Sequence, residues 1–206
     1  MVGLQPLSAV FFLLLVPHTA MAATTATTTP SSPSPSKLLH DKCEIYAAGD
    51  RASYDYCVRT LRSDSATATT NDERRLAVIA IRIARATALA TRDKIARLRR
   101  GAETAEPARR DGLAACAAEY ATTVRRLGGV ARSVASYRGV SKRDLRMAEA
   151  MLGWVTGAPQ RCIVACQRAG GKGWSPLDDA DLQLNSIVGV AIDFLPMRST
   201  PPSPGA

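Results

Sequence analysis

Sulfur is the first chemistry this sequence offers. Cysteines stand at Cys43, Cys57, Cys116, Cys162 and Cys166. In a chain with a secretory start, five cysteines imply two disulfides and one sulfur left over. Cys43 and Cys57 flank Gly49-Asp50, a turn signal between two short helical pieces, Leu38 to Ala48 and Tyr54 to Arg62. A bridge between them closes a helical hairpin, and for a loop of about 15 residues chain entropy assigns it about 3 kcal/mol. Cys116 needs a partner on another helix, and both Cys162 and Cys166 are available, four residues apart on one helix face. Joining those two to each other is awkward, because side chains at that spacing do not readily meet disulfide geometry. The fifth sulfur is read as a buried thiol. An intermolecular link and an alternative partnership with Cys116 are the other options.

Other reactive groups are sparse. The histidines are His18, in the N-terminal apolar segment, and His40, in a segment that reads as mobile. One histidine does not make a Ser/His/Asp or Cys/His triad. Cys162-x-x-x-Cys166 lacks the second ligand pair that a zinc site needs, so no metal is expected. Gly170-Gly171-Lys172-Gly173 lacks the spacing of a phosphate-binding loop. Asp178, Asp179 and Asp181 read as charges at a helix N-terminus rather than an acid/base pair. The sequence therefore argues against an enzyme, and no cofactor is expected.

Residues 1–22 read as a secretory signal peptide. Leu7 to Val16 supplies the apolar run and Ala20-Met21-Ala22 a small-x-small cleavage site, although the n-region has no Lys or Arg. The run is shorter than the ~20 residues of a membrane span, and no other run is long enough. Thr24 to Ser36 is a Thr/Ser/Pro tract expected to be a disordered linker (residues 23–36), and residues 197–206 a flexible Pro/Ser tail. The ending carries neither a retention signal nor a hydrophobic anchor signal. The formal net charge is +9. For an extracellular protein this favours acidic partners, such as an acidic protein or a carboxylate-bearing polysaccharide. Nucleic acid is not expected, since no cluster of base-stacking aromatics accompanies the charge.

These residues must be positioned by helices. Leu113, Cys116, Tyr120, Val124, Leu127, Ala131 and Val134 recur at steps of three and four, within roughly an 80° arc of one helix face. So narrow a stripe must be buried against other helices. That helix is expected over Ala108 to Ser136, with a bend at Gly128-Gly129, where each glycine costs about 1 kcal/mol relative to alanine. Before it, a helix over Asp72 to Arg100 is expected to turn Leu76, Ile79, Ala80, Ile83, Thr87, Ala90 and Leu98 inward. Its other face carries Arg74, Arg75, Arg82, Arg85 and Arg92, either solvated or a partner-binding strip. After a turn at Tyr137 to Val140, Ser141 caps a helix with Leu145, Ala148, Leu152 and Val155 on one stripe. Gly157 and Pro159 kink or break it, and it resumes through Cys162 and Cys166 to Arg168. Asp178 to Leu195 forms the last helix, with Leu184, Ile187, Val188, Ala191 and Leu195 inward. Short loops between long helices imply antiparallel neighbours. The expected fold is all-α: an antiparallel up-and-down four-helix bundle (71–196) preceded by a disulfide-closed hairpin (37–64), together one domain over 37–196.

With these pieces in order, the chain resembles the plant invertase and pectin methylesterase inhibitors, including a pollen-allergen-like branch. The resemblance runs from Lys37 to Leu195. It rests on Cys43, then Tyr54-Asp55-Tyr56-Cys57-Val58 with Leu61, and the Leu76-to-Ile83 helix with its alanine-rich end. Leu113-x-x-Cys116-x-x-x-Tyr120, Cys162, Ser175-Pro176-Leu177 and Leu184-x-x-Ile187 complete it. It implies a four-helix bundle with an N-terminal hairpin, and disulfides Cys43–Cys57 and Cys116–Cys162, which leaves Cys166 as a departure. It also implies a secreted inhibitor that blocks the active-site cleft of a wall enzyme in a 1:1 complex, in the apoplast or cell wall, with the vacuole as alternative. The invertase-directed branch resembles a bundle that inserts a Pro-Lys-Phe loop. The corresponding stretch here, Tyr137 to Arg143, lacks that tripeptide. The reading therefore leans to pectin methylesterase. Acid invertase is the alternative, favoured by the similarity around Tyr54 to Val58. A basic, non-inhibitory wall protein held by acidic pectin is the third. The interface expected for an inhibitor comprises Arg75, Arg82, Arg85, Arg92, Lys142 and Arg143.

Overall fold

The computed structural model describes residues 36–102, 107–136, 142–168 and 177–196. The expected signal peptide, all of the linker but Ser36, the turn at Tyr137 to Val140, the cap at Ser141, the Gly170–Gly173 loop and the tail from Met197 lie outside the described residues. Among the described residues the protein is all helical: α1 (Lys37–Ala47), α2 (Arg51–Leu61), a 3-10 turn (Ser65–Thr69), α3 (Glu73–Gly101), α4 (Pro107–Ala135), α5 (Lys142–Thr156), α6 (Ala158–Arg168) and α7 (Asp178–Asp193). In this set no helix is long and apolar enough to cross a membrane.

α3, α4, the broken α5/α6 unit and α7 form the antiparallel bundle. α3 packs on α4 and α7, α4 on both α5 and α6, and α5 closes the ring against α7. The α1–α2 hairpin packs chiefly on itself and leans on α7 and α3.

Local signals set the hairpin. The Leu39 N–H donates to the Ser36 hydroxyl, so the last residue of the expected linker caps α1. α1 ends with Ala48 at φ 47° and Gly49 at φ 92°, left-handed backbone that glycine adopts readily. Asp50 then accepts from the Ser53 N–H at 2.8 Å, which starts α2 at Arg51, three residues before the position expected from the sequence. Cys43 and Cys57, both fully buried, are disulfide-bonded across the turn. His40 lies within α1 with Nδ1 hydrogen-bonded to the Tyr54 hydroxyl, so it is held in the hairpin rather than mobile. Buried Lys42 reaches Glu73 of α3 at 3.0 Å and ties the hairpin to the bundle.

The bundle core follows the α4 stripe. Leu113, Cys116, Tyr120, Val124, Leu127 and Val134 are buried, while Ala131 is half-buried. α4 continues through Gly128 and Gly129 without the interruption the glycines led us to expect. A Cβ on Gly128 would stand 3.3 Å from Arg85 Nε, so the missing side chain there leaves room for an α3 arginine. α3 buries Leu76, Ile79 and Ala80 as expected, but not the rest of its expected face. Its continuous buried surface is Ala77, Ala80, Ile81, Ala84, Ala88, Thr91 and Ile95, whereas Ile83, Thr87 and Leu98 are half-buried and Ala90 is exposed. Alanines on the contact line permit close helix approach, and the larger Ile83 and Leu98 pack at the margin. Leu184, Ile187, Val188 and Ala191 of α7 are buried, as are Phe194 and Leu195 beyond its end.

Candidate functional site

The sequence placed a candidate interface on Arg75, Arg82, Arg85, Arg92, Lys142 and Arg143, and all six are exposed. The first four occupy α3. At ~100° per residue they fall within about a 100° arc, a single ridge of guanidinium groups. Arg75 and Arg82, two turns apart, line one groove of about 390 Å³. Val78 and Ile79, nearly buried, form its apolar floor, Thr69 and Thr70 come from the segment before α3, and Ala135 from the end of α4. Arg85 continues the ridge and lies across α4 over Gly128. Arg92 is partly neutralised by Asp93 at 3.2 Å, an exposed pair of small energetic weight. Lys142 and Arg143 open α5. α4 ends at the groove and α5 starts seven residues later, so both basic residues belong to the same end of the bundle as Arg75.

The groove depends on how α3 begins. Asp72 caps the helix by accepting from the Arg74 N–H at 2.9 Å. The 3-10 turn is held by buried Thr67, whose hydroxyl donates to the Leu61 carbonyl at 2.7 Å. The Ser65–Thr69 turn and Thr70 thus become one wall of the groove, through Ala66, Thr69 and Thr70. A second basic groove, about 630 Å³, lies at the opposite end between Arg99 and Arg100 of α3 and Arg110 of α4, with Asp111 among its lining. Sequence reading did not single it out, because those arginines fall on two helices that only the fold brings together.

Two polar clusters inside the scaffold were also missed. Asp181, read as a helix-end charge, is buried and accepts from the Tyr120 hydroxyl, while its Oδ2 has no hydrogen-bond partner. Burial, foremost, and Asp178 hold the Asp181 carboxyl above its usual range, against the opposing Tyr120 hydrogen bond and Lys94. The Tyr120 hydroxyl is pushed up as well, first by burial and then by Asp181. At the break between α5 and α6, the Arg161 guanidinium contacts Glu119 of α4 at 2.6 Å and donates to the Trp154 carbonyl at 3.0 Å. The indole of Trp154 lies against the guanidinium groups of Arg126 and Arg161, 3.8 and 3.7 Å from the ring centre. A Cβ on Gly157 would stand 2.5 Å from Arg161 Nη1, so the guanidinium of this latch packs against the bare glycine.

The sulfur atoms form the third cluster. Cys116 is bonded to Cys162, and Cys166 is a free, buried thiol. The three sulfurs lie within 4.8 Å of one another, but the disulfide removes two of them from service as thiolate ligands.

A disulfide-closed helical hairpin packed on a four-helix bundle is now joined by a sequence match. The profile of the plant invertase/pectin methylesterase inhibitor family covers residues 37–190, the hairpin and nearly the whole bundle. The chain belongs to that family. Comparison with individual curated proteins gives no match. Family membership implies a proteinaceous inhibitor of pectin methylesterase or invertase rather than an enzyme. In this light the buried groups above build a scaffold.

Proposed function

We propose that this protein is a secreted inhibitor of pectin methylesterase, that it forms a 1:1 complex blocking the enzyme's active-site cleft, and that the α3 ridge with its groove is part of the contact. The observation that carries the choice of target is the connection between α4 and α5. Tyr137 to Arg143 lacks the Pro-Lys-Phe tripeptide that marks the invertase-directed resemblance. The groove supplies what a protein interface uses: an apolar floor at Val78 and Ile79 rimmed by Arg75 and Arg82. The Tyr54-to-Val58 segment, which resembled invertase inhibitors, carries no weight between targets. Tyr54 bonds His40, Cys57 bonds Cys43, and the Tyr56 hydroxyl donates to the Gln183 carbonyl of α7 at 3.4 Å, so these residues hold the hairpin in place.

The test is methanol release from methyl-esterified pectin by a panel of plant pectin methylesterases, with sucrose hydrolysis by acid invertases run in parallel. Stoichiometric slowing of the first and not the second is expected. Slowing of invertase alone transfers the proposal to that enzyme. With neither slowed, salt-sensitive retention on polygalacturonate would leave the pectin-held wall protein as the reading. For the contact surface, Arg82→Glu with Arg85→Glu should weaken inhibition by ten-fold or more, about 1.4 kcal/mol or above, with an unchanged helical spectrum. Undiminished inhibition dismisses this face.

A further inference from the structure

The cysteine cluster contains more than the bond it has formed. α4 and α6 approach closely where Gly112 and Cys116 meet Cys166 and Cys162. A Cβ built on buried Gly112 would stand 3.1 Å from the Cys166 Cα and 3.3 Å from its Sγ. The bare glycine thus brings the Cys166 backbone against α4. Cys166 Sγ lies 3.5 Å from Cys116 Sγ, within a buried set that also contains Cys162.

We propose that Cys166 is an internal exchange partner for the Cys116–Cys162 bond, giving the α4–α6 staple two pairings, Cys116–Cys162 and Cys116–Cys166. The Cys166 thiol loses its proton to solvent, and its thiolate attacks Cys116 Sγ. A Cys166–Cys116 bond forms as the Cys116–Cys162 bond breaks. The electron pair departs on Cys162, which takes up a proton. One disulfide and one thiol stand on each side, so neither oxidant nor reductant is consumed. Attack on Cys162 instead would join residues four apart on one helix, the geometry that disulfides meet poorly. The chemistry therefore runs through Cys116.

Two features keep the exchange dormant. The sulfurs form a triangle, whereas displacement needs attacking, central and leaving sulfurs in line, so the Cys166 side chain must rotate first. Burial and, secondarily, Asp181 raise the thiol's pKa, which makes the thiolate scarce in acid.

The experiment uses the full chain purified in acid, with half then held at about pH 10, well above the ordinary thiol value. Both halves are acid-quenched, alkylated while denatured, then reduced and labelled with a second reagent. Arg161 and Arg168 place both α6 cysteines in one tryptic peptide, so fragment spectra must locate the first label. It should sit on Cys166 in the acid half and be shared with Cys162 in the alkaline half, at a rate independent of protein concentration. A first label confined to Cys166 in both halves overturns the proposal, as does a rate that rises with concentration. Independently, Cys162→Ser made under the same oxidising conditions should lose all free thiol and show a Cys116–Cys166 bridge. A variant in which Cys116 and Cys166 both react would overturn the proposal as well.

Discussion

The two disulfides do different things for the same bundle. Cys43–Cys57 spans 14 positions and closes a hairpin whose own buried side chains are few: Leu39, Lys42, Cys43 and Ala47 on α1, and Cys57, Val58 and Leu61 on α2. Two 11-residue helices cannot stand alone in water, so the bond stabilises a unit that packing alone would not hold. Cys116–Cys162 spans 46 positions and joins helices already packed within the bundle. It fixes the register of α6 on α4, and it has a third sulfur beside it. One staple makes a substructure, while the other selects among arrangements of one.

The comparison is broken most severely by Cys116→Ser, which leaves neither Cys162 nor Cys166 a partner on α4. For a 46-residue separation the chain-entropy estimate is about 4 kcal/mol, read as a loss of unfolding free energy in denaturant titration. Cys162→Ser should lose markedly less, because Cys166 takes over. Cys57→Ser should cost about 3 kcal/mol for its shorter loop, with the loss concentrated in faster amide exchange of α1 and α2.

A smaller effect is expected at Asp181. Its folded-state pKa is raised, so the fold favours the protonated acid. That stability is present below the unfolded value near ~4 and is lost as pH rises through the folded value. The Asp181 contribution to stability should therefore fall on going up from about pH 4. Asp181→Asn keeps an acceptor for Tyr120 and removes the charge. It should match wild type in acid and gain on it with rising pH, in paired denaturation curves. A constant difference across that range would remove Asp181 as the source. The least effect on stability is expected from Arg82→Glu with Arg85→Glu, within about 0.5 kcal/mol for exposed positions, even as inhibition falls.

Much of the fold could be read from residue spacing because water imposes it. The α4 stripe had to be buried, and the glycine and proline at positions 157 and 159 had to divide α5 from α6. The α3 face was harder. From Leu76 to Ile81 every residue is buried, so apolar pattern alone does not choose a direction, and close packing selected alanines over larger side chains. Asp181 and the Arg161 latch were illegible for a related reason. Each depends on which helices meet, and a charge near a helix end or on a polar face reads as solvated until a neighbour covers it. The candidate contact surface is less legible still. Exposed arginines satisfy the bundle wherever they fall, and the constraint on them comes from a second molecule.

The latch at Gly157 has a mechanical consequence. Lys142 and Arg143 stand at the far end of α5, while the sulfur cluster is carried by α6. Arg161 spans the joint, fastening α6 to the Trp154 carbonyl and to Glu119. One α6 side chain thus reaches both α5 and α4, so the break between the two helices is bridged sideways rather than along the helix axis.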